Sequence, residues 1–191
     1  MRRLLLLAGV VLGCAVAGQS ADAAGASEKP AARPFKGFAS QEAQPVRAEL
    51  IARHASIQAG GRTQVGVHFD IEQGWHIYAD PPGDAGMPTT ITWSSLPGVR
   101  FGPLAWPPAE SFTDAGDIRT SGYTGVLVLA SPVTYTARES VPALPIKASV
   151  RWLSCKEICI PGEAELELTL PVTGEPPVLS AHAQLFEQIA E

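Results

Sequence analysis

The stretch Ile146-Lys147-Ala148-Ser149-Val150-Arg151-Trp152-Leu153-Ser154-Cys155-Lys156-Glu157-Ile158-Cys159-Ile160-Pro161 organises the chain. It opens on an apolar, strand-like run at 146–153 and reaches a Cys-x-x-x-Cys turn. Beyond the turn, Ala164-Glu165-Leu166-Glu167-Leu168-Thr169-Leu170 alternates apolar and polar residues. A period of two puts one face of a strand on a core and the other in water. Two strands joined through so short a turn can bring two sulfurs within reach, since a disulfide needs alpha carbons about 4.4–6.8 Å apart. Such a bridge adds little stability. On the chain-entropy estimate a loop of about five residues is worth about 2 kcal/mol, against about 4.7 kcal/mol for 100 residues. The pair therefore reads either as a dithiol/disulfide that cycles or as an inert clip on a hairpin. Spacing alone leaves both open.

Outward from this hairpin, the runs 46–53, 63–71, 75–78, 90–93 and 125–135 also read as short strands. They are rich in β-branched and aromatic residues, with Gly, Pro and Asp between them. Gln64-Val65-Gly66-Val67-His68-Phe69, for example, alternates. Seven or so such strands point to an all-β fold, an immunoglobulin-like antiparallel β-sandwich. The widely spaced cysteine pair of antibody domains is missing, so that likeness is architectural. Two segments break the pattern. Residues 80–89 form a turn-rich loop, and 107–125 is a long segment with little strand character. Long loops in compact domains are usually functional or disordered. After Gly174-Glu175-Pro176-Pro177, residues 180–190 read as a short C-terminal helix. Ser180 is its candidate N-cap, and Leu185, Phe186 and Ile189 form one apolar stripe.

The 191 residues allow one domain with appendages, and 46% hydrophobic content suffices for a core. A net charge of −5 gives no basic footprint, which argues against nucleic acid as a partner. The N-terminus reads as an export signal over 1–23. Arg2 and Arg3 precede an apolar run at 4–12, and Ala21-Asp22-Ala23 is the cleavage site. The apolar run is too short to span a bilayer. Val11-Leu12-Gly13-Cys14 loosely resembles a lipobox, so Cys14 is a lesser candidate for a lipid anchor. Either route leads to an oxidising compartment, the periplasm. Residues 24–45 read as a flexible leader, 46–173 as the sandwich domain, and 174–191 as a linker and helix.

Trp75-His76-Ile77-Tyr78 alternates, so His76 and Tyr78 share one face and Trp75 and Ile77 the other. One face belongs to the core. The other can line the cysteine site, where an imidazole or phenol stabilises a thiolate or exchanges a proton. The plainer reading is a half-buried strand with a satisfied histidine. Trp93, Trp106 and Trp152 read as core aromatics, and Lys156 and Glu157 as solvated turn residues. Phe112, an aromatic among polar residues, either caps a reactive disulfide or anchors its loop. His54, His68 and His182 show no ligand spacing.

Several short motifs occur in order. They are Trp75-His76-Ile77-Tyr78, Pro82-Gly83-Asp84-Ala85-Gly86-Met87-Pro88-Thr89, Trp106-Pro107, Gly122-Tyr123 and Cys155-Lys156-Glu157-Ile158-Cys159-Ile160-Pro161. The ordered set, over about 46–172, resembles the N-terminal periplasmic domain of the DsbD/ScsB family of transmembrane thiol:disulfide interchange proteins. The resemblance implies an immunoglobulin-like fold with Cys155 and Cys159 as a redox pair, Cys159 taking the mixed disulfide and Cys155 resolving it. It implies His76 and Tyr78 near the site and a cap around Phe112. It also implies a membrane or thioredoxin-like electron donor, periplasmic disulfide proteins as acceptors, and no metal or organic cofactor. Full-length members continue into a membrane domain and usually a thioredoxin-like domain. For these 191 residues a separate membrane protein is expected to supply the electrons.

Two other readings stand beside this one. Cys155, Cys159 and His76 together make a soft site suited to Cu(I). Copper chaperones of the Sco type carry Cys-x-x-x-Cys-Pro, whereas Ile160 intervenes here before Pro161. The third reading is a non-catalytic β-sandwich with a structural disulfide.

Overall fold

A computed structural model describes residues 44–94, 96–114, 116–137 and 141–189. The expected export signal, Cys14 and nearly all of the leader lie outside the described residues. Among these, the chain forms strands β1 (Val46–Ala52), β2 (Ile57–Gln58), β3 (Arg62–Ile71), β4 (His76–Gly83), β5 (Thr90–Trp93) and β6 (Val99–Phe101). Strands β7 (Glu110–Asp114), β8 (Ile118–Tyr123), β9 (Val126–Tyr135), β10 (Ala143–Cys155) and β11 (Cys159–Thr173) follow, and then a 3-10 helix (Ala183–Ile189).

The strands make two sheets. One runs β1-β3-β9-β6. The other runs β2-β11-β10-β4-β8-β7, with β5 also paired to β10. All pairings are antiparallel except β2 with β11. The result is an immunoglobulin-like β-sandwich. Alternation explains the core. Val65, Val67 and Phe69 of β3 and Leu127, Leu129 and Val133 of β9 face Ile146, Ala148, Val150 and Trp152 of β10. Each large apolar side chain so buried contributes about 1.5–3 kcal/mol. Phe69 meets Trp152 edge to face, with centroids 5.7 Å apart. Trp93 stacks on Phe101 at 4.9 Å, and both Trp93 and Trp106 pack against the core.

Three expectations are corrected. The segment 107–125 is not a loop, since it holds the β7–β8 hairpin, paired from Glu110↔Gly122 to Asp114↔Ile118. This hairpin lies at the sheet edge, where strands need little apolar alternation because water covers much of them. The loop expected at 80–89 begins later, because β4 continues to Gly83 and regains pairing at Gly83↔Thr120 after a register shift. A bulge of this kind tolerates Pro81 and Pro82, which donate no ladder hydrogen bond. The C-terminal helix is 3-10. Its turns close through Ala183 N–H to the Ser180 carbonyl (3.2 Å) and Leu185 N–H to the His182 carbonyl (3.0 Å), the i to i+3 pattern. The Ser180 hydroxyl accepts from the His182 N–H at 3.1 Å and donates to the Ala52 carbonyl. Phe186 is buried against Ile51, Val128 and Ala130, on the outer face of the four-stranded sheet. The Ile189 side chain lies outside the described residues.

Candidate functional site

The β10–β11 hairpin keeps strict register from Ala143↔Pro171 to Cys155↔Cys159. The two cysteines are therefore opposite each other at its tip. Directly opposed residues that exchange no ladder bonds have alpha carbons about 4.5 Å apart. Here the separation is 4.1 Å, and Cys155 and Cys159 are joined as a disulfide. The Lys156 N–H donates to the Ile158 carbonyl at 3.1 Å and closes the turn. Lys156, Glu157 and Ile158 are exposed.

The two cysteines stand in different surroundings. Cys155 is 3% exposed, whereas Cys159 is exposed. On its other edge β10 pairs with β4, through Ser154↔Ile77 and Cys155↔His76. Alternation along β4 sends Ile77 into the sandwich core. His76 and Tyr78 take the opposite face, and both are buried. The Tyr78 hydroxyl donates to Cys155 Sγ at 3.2 Å. The His76 ring meets Tyr78 edge to face at 5.1 Å. On its other side it stacks on Phe112, with centroids 4.6 Å apart and planes 16° apart. Phe112 comes from β7 and is half-buried. The structure thus gathers Cys155, Cys159, His76, Tyr78 and Phe112 into one cluster at one end of the larger sheet.

Four further residues support this cluster, and sequence reading missed them. Gly86 has φ of 96°, and a Cβ there would overlap the Tyr78 ring. Thr89 donates to the Tyr78 carbonyl from both its hydroxyl (2.9 Å) and its N–H (3.2 Å). The buried Ser154 hydroxyl donates to the Ile160 carbonyl at 2.9 Å, across the hairpin from the disulfide. Gly162 lies opposite Trp152, and a Cβ there would collide with the indole. A glycine inside a strand often marks such a close approach, and that signal was present in the sequence.

His54, His68 and His182 stand apart from the cluster. His54 contacts Thr63 Oγ1 at 3.0 Å. Among the described residues no three His, Cys, Asp or Glu side chains form a group able to hold a metal ion. No helix of the described residues is long and apolar enough to cross a membrane.

Chemically, a disulfide between an exposed and a buried cysteine favours attack at the exposed residue. An incoming thiolate can reach Cys159. Cys155 would leave as a thiolate onto the Tyr78 hydroxyl, and a hydrogen bond to the charged form favours it.

The family model described as "Thiol:disulfide interchange protein DsbD, N-terminal" matches residues 42–171. Among solved structures, the chain is similar to the N-terminal periplasmic domain of ScsB from Proteus mirabilis. The TM-score is 0.57 at 21% identity, over 77% of this chain and 54% of that one. The chain thus spans about half the length of that ScsB structure, and the likeness is one of fold. The reduced N-terminal domain of Neisseria meningitidis DsbD aligns with a TM-score of 0.35 at 17% identity, over 68% of this chain and 89% of that one. No curated protein matches the chain.

Proposed function

The chain belongs to the family of DsbD N-terminal domains, and from that premise we propose that it is a periplasmic thiol:disulfide interchange domain working through Cys155 and Cys159. Residues 1–23 act as its export signal and 46–173 as its exchange domain. A membrane or thioredoxin-like protein with a reduced dithiol is the electron donor, and periplasmic disulfide proteins are the acceptors. The observation that carries this reading is the asymmetry of the pair. Cys159 is exposed, and the buried Cys155 sulfur accepts a hydrogen bond from Tyr78.

A donor thiolate attacks Cys159 Sγ, and the Cys155–Cys159 bond breaks as the mixed disulfide forms. Cys155 departs with the electron pair as a thiolate and takes up a proton. The donor's second thiolate attacks its own sulfur in the mixed disulfide, and Cys159 is released as a thiolate that is protonated in turn. The chain has gained two electrons and two protons, and the donor is a disulfide. Run on an acceptor disulfide, the same steps in reverse send the electrons onward. Reduction potentials set the direction. No resident cofactor takes part. Phe112, stacked on His76 across from Cys155, covers the Cys155 side of the site between encounters, while Cys159 stays open.

The test is capture of the mixed disulfide. The Cys155→Ser variant keeps the exposed sulfur and lacks the resolving one. It should accumulate a covalent adduct with oxidised glutathione, and with a thioredoxin-fold disulfide protein, read by intact mass. The Cys159→Ser variant should react at least about tenfold more slowly, because its one remaining thiol in the pair is buried. Equal rates for the two variants would remove the assignment of Cys159 as the attacked sulfur. Failure of wild-type protein to exchange with any dithiol protein would remove the function.

A further inference from the structure

Strand β4 pairs with the end of β10 at Cys155↔His76 and Ser154↔Ile77. Strand β5 pairs with the same edge further back, at Arg151↔Thr90. Between them, residues 79–88 leave the edge and come back to it. Two of the contacts that hold this excursion fall on Tyr78. At its neck, the Thr89 hydroxyl and N–H both donate to the Tyr78 carbonyl, and Thr89 is only 2% exposed. At its far turn, Gly86 passes so close to the Tyr78 ring that a Cβ would overlap it. Its φ of 96° lies in the region that side-chain-bearing residues avoid. The outbound limb is tied as well. The Asp84 N–H donates to the Arg119 carbonyl at 2.8 Å, and the Arg119 N–H donates to Asp84 Oδ2 at 3.2 Å.

A tyrosine ring has two torsions of freedom, and its hydroxyl sits at the far end of the lever. A small tilt moves the oxygen out of bonding distance of a sulfur. Tyr78 is 4% exposed, with its backbone gripped by Thr89 and its ring covered at Gly86. We propose that residues 79–89, through Gly86 and Thr89, position the Tyr78 hydroxyl on Cys155 Sγ and so set how readily Cys155 leaves as a thiolate. Gly86 and Thr89 are positioning residues, acting only through Tyr78. The inference rests on the exchange reading above. It adds that the turn motif of the sequence, Gly83-Asp84-Ala85-Gly86-Met87-Pro88-Thr89, is part of the redox site.

The test reads the acidity of the Cys155 thiol in the full chain carrying Cys14→Ser and Cys159→Ser, so that Cys155 is its one thiol. The probes are thiolate ultraviolet absorbance and iodoacetamide alkylation rate against pH. Tyr78→Phe should lower the thiolate fraction at neutral pH by roughly tenfold, as expected for loss of a bond to a charged group. Gly86→Ala should do the same. The double variant should show no further change, since coupled residues fail to add. Thr89→Val keeps shape and loses the hydroxyl donor. It should shift the thiol in the same direction by a smaller factor, and it carries the test where Gly86→Ala fails to fold by circular dichroism. A Tyr78→Phe effect that neither Gly86→Ala nor Thr89→Val reproduces overturns the positioning role. So do effects of Gly86→Ala and Tyr78→Phe that simply add. No effect of Tyr78→Phe overturns the premise that Tyr78 stabilises the thiolate, and the inference with it. The exchange activity of the Cys155–Cys159 pair, measured separately with a dithiol protein, shows whether the function itself has failed.

Discussion

Ser154 lies beside the disulfide with no solvent exposure, and its hydroxyl bridges to the Ile160 carbonyl. Ser154→Ala removes a buried donor, and we expect it to cost about 1–2 kcal/mol. Urea unfolding should show a lower midpoint at an unchanged slope. An unaltered midpoint would mean that the bond contributes nothing. Gly162→Ala forces a methyl group into the Trp152 indole. Overpacking of this kind costs about 1–3 kcal/mol, and the indole fluorescence should change with it. At this scale the sequence was legible only in part. The period-two alternation of 75–78 put His76 and Tyr78 on one face, as they are, because that rule needs only neighbours in the chain. The roles of Ser154, Gly86 and Thr89 depend on what lies across a strand or under a turn. Their one-letter identities carry no trace of that.

The hairpin β10–β11 and most of the other strands were readable because each buries one face. Apolar side chains on that face write the alternation directly into the sequence. The β7–β8 hairpin was not readable. Its first strand, Glu110-Ser111-Phe112-Thr113-Asp114, has one apolar residue, and the flanking strand β8 supplies its pairing. Edge pairing is carried by backbone hydrogen bonds, to which composition is blind. Strands β2 and β6 were missed because two or three residues show no period. The hairpin matters because it carries Phe112 onto His76. Phe112→Ala uncovers that stack, and the disulfide should then react several-fold faster with dithiothreitol in stopped-flow thiol release. Unchanged kinetics would leave Phe112 as an anchor for its hairpin and remove the cap.

For the molecule as a whole, the core of β3, β9 and β10 is built without the sulfurs. The bridge closes a short loop, so reduction should lower stability by only about 2 kcal/mol. The reduced protein should keep its β-sheet circular dichroism and its cooperative unfolding. A reduced protein that unfolds at room temperature would make the bridge a structural staple. Stability should also fall at high pH for a specific reason. Burial pushes the Tyr123 phenol above its usual value of 10.0, while its hydroxyl donates to the Pro107 carbonyl at 2.8 Å. The folded state therefore holds this proton where the unfolded chain releases it. The contribution is complete below pH 10 and is lost as pH rises through the folded value. Tyr123→Phe should flatten that alkaline limb in chemical denaturation series. The central claim, that Cys155 and Cys159 cycle, is tested most directly by their reduction potential. Protein lacking residues 1–23 is equilibrated in glutathione or dithiothreitol buffers of graded ratio, and free thiols are counted by alkylation and mass. A cycling pair should show a potential above roughly −300 mV, in the range of exchange proteins; a value well below that would mark an inert structural bridge and contradict cycling.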